Sequence, residues 1–368
     1  MAVFIARSDK GIEVALQRII LRFLKADDLE RGIFLKPNIV FAVNDRSGEI
    51  TRRVVVEQVI SILRAMNPAV DIVIGEGVAA GANAQENFAV SGYADLAQRL
   101  RVPLVDLEES KTVDVDWKYG KLALPAMALK RTYISLPILK LNSAAGISGA
   151  MKNQKGLVRS ATKKQFHRMG LHGPLVELNR IVQPYLTIVD CATQFKGALF
   201  LAGTSTVELD SHIIDLLQIA PPENVRLARE QISASQPTTA EGDAPYKPRT
   251  RHKNSNRPFR RFFRLRIWAG AGACSLCRRR LIEIKSPAAL FRRSGLLTAL
   301  KLIGYIVTGA DIIIGSDARP VPDSHRIICF GECTRPIALD GDYTYIPGCP
   351  PRTQEIANSL RRNRILLG

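Results

Sequence analysis

Five of the six cysteines fall within the last hundred residues: Cys274 and Cys277 in "CSLC", Cys329 and Cys333 in "CFGEC", and Cys349 in "GCPP". The two-residue gap between Cys274 and Cys277 lets two thiolates of one tight turn face a single metal centre. Two sets of ligands compete. A zinc ion takes the two close pairs, Cys274, Cys277, Cys329 and Cys333, in a closed tetrahedron. A 4Fe-4S cluster takes four thiolates from separate loops, the last followed by proline. Cys329 follows "RII", where a strand places it in the core as a small hydrophobe. Cys333 and Cys349 sit beside Gly, Pro and Thr, where loop amides can point at cluster sulfurs. The cluster on Cys274, Cys277, Cys333 and Cys349 is the favoured set, with zinc as the alternative. Cys191 in "IVDCATQ" reads as a core thiol.

A second group of polar residues closes apolar runs in the first two hundred positions. Lys36 and Asn38 follow one run, Glu76 another, and Lys140 and Asn142 a third; Lys152, Asn153 and Lys155 come soon after. Ammonium groups, carboxamides and the backbone amides of "GISGAMKNQKG" together make an anion site for a carboxylate or phosphate. Lys36, Asn38, Glu76, Asn142, Asn153 and Lys155 are its candidate substrate-binding residues. Lys140, Lys152 and His167 are its candidate catalytic residues. His167 and His172 in "QFHRMGLHG" have the chemistry of an acid and base pair, or of surface histidines. Asp190, closing "LTIVD", either orients a lysine or histidine or caps the helix or turn that follows. Glu208, Asp210 and His212 in "VELDSH" form a weak candidate metal group. No GxGxxG or Walker sequence is present, so the motifs for dinucleotides and P-loop nucleotides are missing.

The elements that must position these residues alternate. "GIFLKPNIV", "VDIVIGEG", "VPLVDLE", "RTYISLPILK" and "LTIVDCA" read as buried strands, and "RRVVVEQVISILRAM" and "YADLAQRLR" as helices. This pattern predicts an α/β fold with a mainly parallel, Rossmann-like sheet covered by helices on both faces. Ligands of such sheets bind beyond the carboxyl ends of the strands, where the polar residues fall. The composition changes at about Ser233. We expect an α/β domain over 1–232, a basic Pro/Ser-rich linker or excursion over 233–266, and a smaller cysteine-containing α/β domain over 267–368. In the last, "GLLTALKLIGYIV" and "TQEIANSLRRNRIL" read as helices and "ADIIIG" and "HRIICFG" as strands.

With 368 residues each domain can bury its own core, so cysteine crosslinks are not needed for stability. The N-terminus lacks a signal-peptide pattern and no apolar stretch reaches membrane-spanning length; a cytoplasmic protein is the expectation. There, clustered cysteines are metal ligands or catalytic thiols more often than disulfides. The formal charge is +18, and "KPRTRHKNSNRPFRRFFRLR" from Lys247 to Arg266 holds no acid. That segment is a solvated linker or a docking site for an acidic redox partner. A nucleic-acid role is not favoured, because no reading element accompanies the charge.

These stretches together resemble a known family. "KPNIV", "GEG", "SGYADLA", "ISLPILKLNSAAGISGAMKNQKG", "FHRMGLH", "IVD", "ACSLCRRRL", "GECT" and "IPGCPPR" are similar to the bacterial and archaeal domain-of-unknown-function 362 proteins, with "MKNQKG" and "GCPP" the most specific. The resemblance spans nearly the whole chain and implies a cluster-bearing α/β protein, without supplying a reaction. "YIPGCPPRTQE" also resembles the segment with the last cluster ligand in small subunits of hydrogenases and of respiratory NADH dehydrogenase. Where many of these relatives have Lys-x-His, this chain has Lys140 and Asn142. The function expected is a 4Fe-4S redox enzyme acting on an anionic small molecule; the alternative is a non-catalytic electron carrier or basic binding protein with structural zinc.

Overall fold

The structure is a computed structural model describing residues 3–79, 82–142, 146–195, 197–231, 239–248, 260–262, 264–269, 277, 281, 296–315, 326–341, 343–348 and 351–362. It divides into two compact units. One comprises Met1–Leu141, Ile147–Lys163 and Gly173–Lys253; the other comprises Asn142–Gly146, Lys164–His172 and Asn254–Gly368.

The first unit is built on an eight-stranded sheet. Its strands are β1 (Val3–Arg7), β2 (Ile33–Pro37), β3 (Ile72–Glu76), β4 (Leu104–Asp106), β7 (Thr132–Leu136), β10 (Leu186–Asp190), β11 (Leu199–Gly203) and β12 (Ala240–Gly242), in the order β12-β1-β11-β10-β7-β2-β3-β4. Strands β10, β7, β2, β3 and β4 are mutually parallel, and β11 runs antiparallel to both neighbours. A separate hairpin is formed by β5 (Thr112–Trp117) and β6 (Gly120–Pro125), and β8 (Lys140–Asn142) pairs with β9 (Gly146–Ser148). The mainly parallel α/β fold is the one the alternating pattern predicts.

Alternation of side chains along each strand produces two cores, one on each face. Ala6, Leu35, Ile74, Ile134, Ile188 and Phe200 pack on one face with the helices Ile12–Phe23 and Arg53–Met66. Ile5, Val189, Leu199 and Leu201 pack on the other with the helix Thr206–Leu217. Strands covered on both faces read as continuous apolar runs. In β2, β3, β7 and β10 every residue is buried, yet each carries one polar side chain near its carboxyl end: Lys36, Glu76, Ser135 and Asp190.

The chain leaves β2 toward β3 and β4 on one side and returns to β7 and β10 on the other. The direction of winding therefore reverses between β2 and β7, the point beyond whose strand ends ligands of such sheets bind. Lys36 and Ser135 face each other in register across that point.

The second unit has a five-stranded sheet, β13 (Arg260–Phe262), β14 (Leu265–Ala269), β15 (Ala310–Ile314), β16 (Ile327–Phe330) and β17 (Thr344–Ile346), in that order. Strands β14 to β17 are parallel. The sequence patterns marked β15, β16 and the helices Leu296–Thr308 and Thr353–Arg362. The patterns mark none of β1, β11, β14 and β17. No helix among the described residues is long and apolar enough to cross a membrane.

Candidate functional site

At the carboxyl ends of β2, β3 and β7 the polar residues form one hydrogen-bonded knot. The Lys36 ammonium donates to both carboxylate oxygens of Glu76 at 3.1 Å, to Asn153 Oδ1 at 3.2 Å and to the Pro37 carbonyl at 3.2 Å. Asn153 Nδ2 donates to the Lys36 carbonyl at 3.3 Å and to Ser135 Oγ at 3.0 Å, joining the two strands. The backbone N–H of Ile39 donates to Glu76 Oε2 at 3.1 Å. Lys36 is 0% and Glu76 1% exposed, so the pair forms the floor of the site. Burial pulls the Lys36 pKa below the ordinary lysine value, and the Glu76 charge opposes it.

Asn38 and Lys140 lie nearer the surface. Asn38 Nδ2 donates to Asn153 Oδ1 at 3.4 Å, and Lys140 Nζ donates to Asn38 Oδ1 at 3.4 Å and to the Glu49 carbonyl at 2.9 Å. Burial also lowers the Lys140 pKa, against Glu49 and Glu76. Of the residues expected from sequence, the structure brings Lys36, Asn38, Glu76, Lys140 and Asn153 into one bonded cluster. Lys152 and Lys155 are half-buried on the adjoining helix Ala150–Asn153 and turn Gln154–Leu157. The side chains of Asn142 and His167 lie outside the described residues; His167 is on the helix Ser160–Arg168 and His172 begins the next helix.

Lys163 was not anticipated. Its Nζ donates to the carbonyls of Gly77 at 3.0 Å and Val78 at 2.8 Å, immediately after Glu76. Burial lowers its pKa to about 8; Glu76 and Glu108 raise it, and Lys36 and Lys155 push it further down. The only sequence signal is helical spacing: Lys163 and Phe166, three apart, share the buried face of their helix. Glu76 thus acts on three lysines, Lys36, Lys140 and Lys163, with Glu49 also acting on Lys140 and Glu108 on Lys163.

Two expectations are corrected. The N–H groups of Ala150 and Met151, expected to bind an anion, donate to Asp210 at 2.7 and 3.0 Å. A buried carboxylate of the chain itself caps these orphan donors. Because it is committed there, Asp210 does not join Glu208 and His212 as a metal ligand; on the helix Thr206–Leu217 it also points away from those two. Asp190 orients an arginine: Arg52 Nε and Nη2 donate to it at 2.6 and 3.0 Å, and it also accepts from Ala192 N–H at 3.1 Å.

In the second unit, Cys277 Sγ and Cys333 Sγ lie 3.3 and 3.9 Å from the point that a Cβ on Gly331 would occupy, and the Gly348 carbonyl lies 3.5 Å from it. Gly331 has φ +97°, a conformation that glycine adopts without strain. Two hydrogen bonds tie the loops together: Glu332 N–H to the Gly348 carbonyl at 3.0 Å and Gly348 N–H to Glu332 Oε1 at 3.3 Å. Cys277 packs with Ile328, Phe330 and Ile346, whereas Cys329 packs with Ile313 and Ala338 on the opposite face of the sheet. Burial raises the Cys329 pKa to about 11. Cys274 and Cys349 lie outside the described residues, as does most of the basic 247–266 segment. Among the described residues no group of three or more His, Cys, Asp or Glu side chains is placed to hold a metal ion.

Residues 33–215 match the family described as Domain of unknown function (DUF362). The chain resembles the DUF362 family. The DUF362 match spans strands β2 to β11 with Lys36, Glu76, Asn153, Lys163, Asp190 and Asp210, and ends before the cysteine-rich region, so it is shorter than the span the sequence motifs suggested. A solved structure described as the lactate racemase apoprotein from Thermoanaerobacterium thermosaccharolyticum is similar at a TM-score of 0.41 and 14% identity. That likeness covers 59% of this chain and 56% of the other, a little over half of its length. No curated protein matches the chain.

Proposed function

We propose that this protein is an iron-sulfur redox enzyme acting on an anionic small molecule. Cys274, Cys277, Cys333 and Cys349 hold a 4Fe-4S cluster, and the first unit holds the anion. The observation that supports the cluster is the convergence of two thiols and the Gly348 backbone on Gly331. Gly348 directly precedes Cys349, and Cys277 follows Cys274 by three positions. The donor set suits the group, because all four are thiols. The position of Cys329 across the sheet disfavours a zinc site built from Cys329.

When bound, such a cluster supplies single-electron transfer. The chain's own residues do the rest. Lys140, Lys152 and Lys155 attract and orient the anion at the strand ends, while the Lys36–Glu76 pair fixes Asn153 at the floor. The basic 247–266 segment offers a docking surface for an acidic electron donor, and thiolate ligation suits the cytoplasm.

The test is the visible spectrum and the iron, sulfide and zinc content of protein purified without oxygen, alone and as Cys277→Ser, Cys333→Ser and Cys349→Ser. A brown protein with about four irons, bleached by dithionite and lost in each variant, supports the reading. A colourless protein with one zinc overturns it and moves the basic binding protein to first place.

A further inference from the structure

The helix Leu296–Thr308 of the second unit has two unlike faces. Tyr305 is 2% exposed, and Ile306 packs beside it on the apolar core that includes Leu265, Ile312 and Ile328. On the opposite side Leu300, Ile303 and Val307 are 52%, 41% and 54% exposed. Spaced three and four apart, these three side chains form one aliphatic ridge along two turns. Single exposed apolar residues are ordinary, whereas a contiguous row marks a surface that gains from being covered.

The charges at the carboxyl end of the ridge are positive. The backbone N–H of Arg264, an exposed residue in the turn between β13 and β14, donates to the Ile306 carbonyl at 3.2 Å. Arg326 Nη1 donates to Thr308 Oγ1 at 3.2 Å, and its guanidinium lies 5.4 Å from the Tyr305 ring centroid. The described acids of this unit are engaged elsewhere. Asp311, 1% exposed, accepts from Arg266 and Trp268; Glu332 accepts from Gly348 N–H; and Glu355, on the neighbouring helix Thr353–Arg362, accepts from Arg352 N–H. Asp340 belongs to the helix Arg335–Asp340, whose Ala338 packs with Ile313 and Cys329 on the other face of the sheet. From Asn254 to Ala310 the sequence holds twelve Lys and Arg against one acid, Glu283.

We propose that this helix face docks on an anionic lipid surface. A convex aliphatic ridge needs no matching groove at the boundary of lipid hydrocarbon, whereas a protein partner must supply one, and lipid phosphates and carboxylates complement the arginines at its end. A second copy of the chain would set positive charge against positive charge. Thirteen residues make a helix about 20 Å long, shorter than the hydrocarbon core, so the helix lies in the interface and does not span it. The proposal uses neither the cysteines nor the strand-end lysines and stands apart from the redox reading.

The experiment is co-sedimentation of the full-length protein with phosphatidylcholine vesicles, alone or with about 30% phosphatidylserine, at low and high salt. The expected result is about tenfold tighter binding to the anionic vesicles, weakened by salt. The triple variant Leu300→Gln, Ile303→Gln, Val307→Gln, whose folding is checked by its melting curve, should bind about tenfold more weakly. Arg264→Gln should lose about fivefold, and Leu339→Gln, at an exposed position on the other face of the sheet, should bind as the wild type does. Equal binding to both vesicle compositions overturns the anionic surface. Undiminished binding of the triple variant shows that basic charge alone holds the protein and overturns the helix face. Binding to neither vesicle, with self-association in light scattering that the triple variant loses, assigns the ridge to a second copy and overturns the lipid.

Discussion

Lys36 and Glu76 form an ion pair at 3.1 Å with both side chains withdrawn from solvent, on adjacent parallel strands at the reversal of the sheet. Charges buried this way are tolerated because each is hydrogen-bonded again, Lys36 by Asn153 and Pro37 and Glu76 by Ile39. The pair fixes the floor of the site, and perturbing it should move stability before anything else.

Glu76→Gln is expected to destabilise by about 3–5 kcal/mol, because it leaves the Lys36 charge buried without its counter-ion. The double variant Lys36→Met, Glu76→Leu should lose less than the sum of the single changes. Urea titrations of the wild type, Glu76→Gln, Lys36→Met, Glu76→Leu and the double variant measure both figures. Equal, additive losses would show that the pair is not coupled.

Gly156→Ala tests how tightly the Lys-rich turn sits on that pair. A Cβ there would fall 2.2 Å from Glu76 Oε1 and 2.5 Å from Lys36 Nζ, with both side chains packed in place. Overpacking should cost about 1–3 kcal/mol in thermal or chemical denaturation. An unchanged melting temperature would mean that the turn stands further off.

Asp210 predicts a pH dependence. Burial raises its pKa from 3.8 to about 7, opposed by the N–H groups of Met151 and Ala150. Between those values the folded protein holds a proton that the unfolded chain has released, so this group's contribution to stability falls as pH rises from about 4 to 7. Asp210→Asn should flatten that slope. A titration of melting temperature against pH decides it, and an identical slope in the variant would exclude Asp210 as the source.

Cys329→Ala and Cys333→Ala should separate packing from ligation. The first is expected to keep its metal while losing about 1 kcal/mol of stability through a small core cavity. The second should lose metal and colour. Metal analysis beside denaturant curves reads both, and metal loss in Cys329→Ala would return the zinc ligand set to consideration.

Sequence by itself determined the α/β architecture, because strands buried on both faces are written as runs such as "IFLKP", "IVIGE" and "LTIVD", and the polar residue closing each run marks a strand end. It also gave Lys36, Asn38, Glu76, Lys140 and Asn153 as a group, since parallel strands bring their carboxyl ends to one side. Tertiary structure alone decided which polar groups are spent on one another. The backbone amides at Ala150 and Met151 are taken by Asp210, some sixty positions away, and Lys163 reaches the carbonyls after Glu76 from a helix with an otherwise ordinary basic pattern. Likewise the alternation of β16 places Cys329 on one face, while Cys333, in the loop beyond the strand end, lies near Cys277. Local periodicity reports which face or end a residue occupies, whereas its partner depends on loops closing over long separations, and short-range spacing carries no record of that.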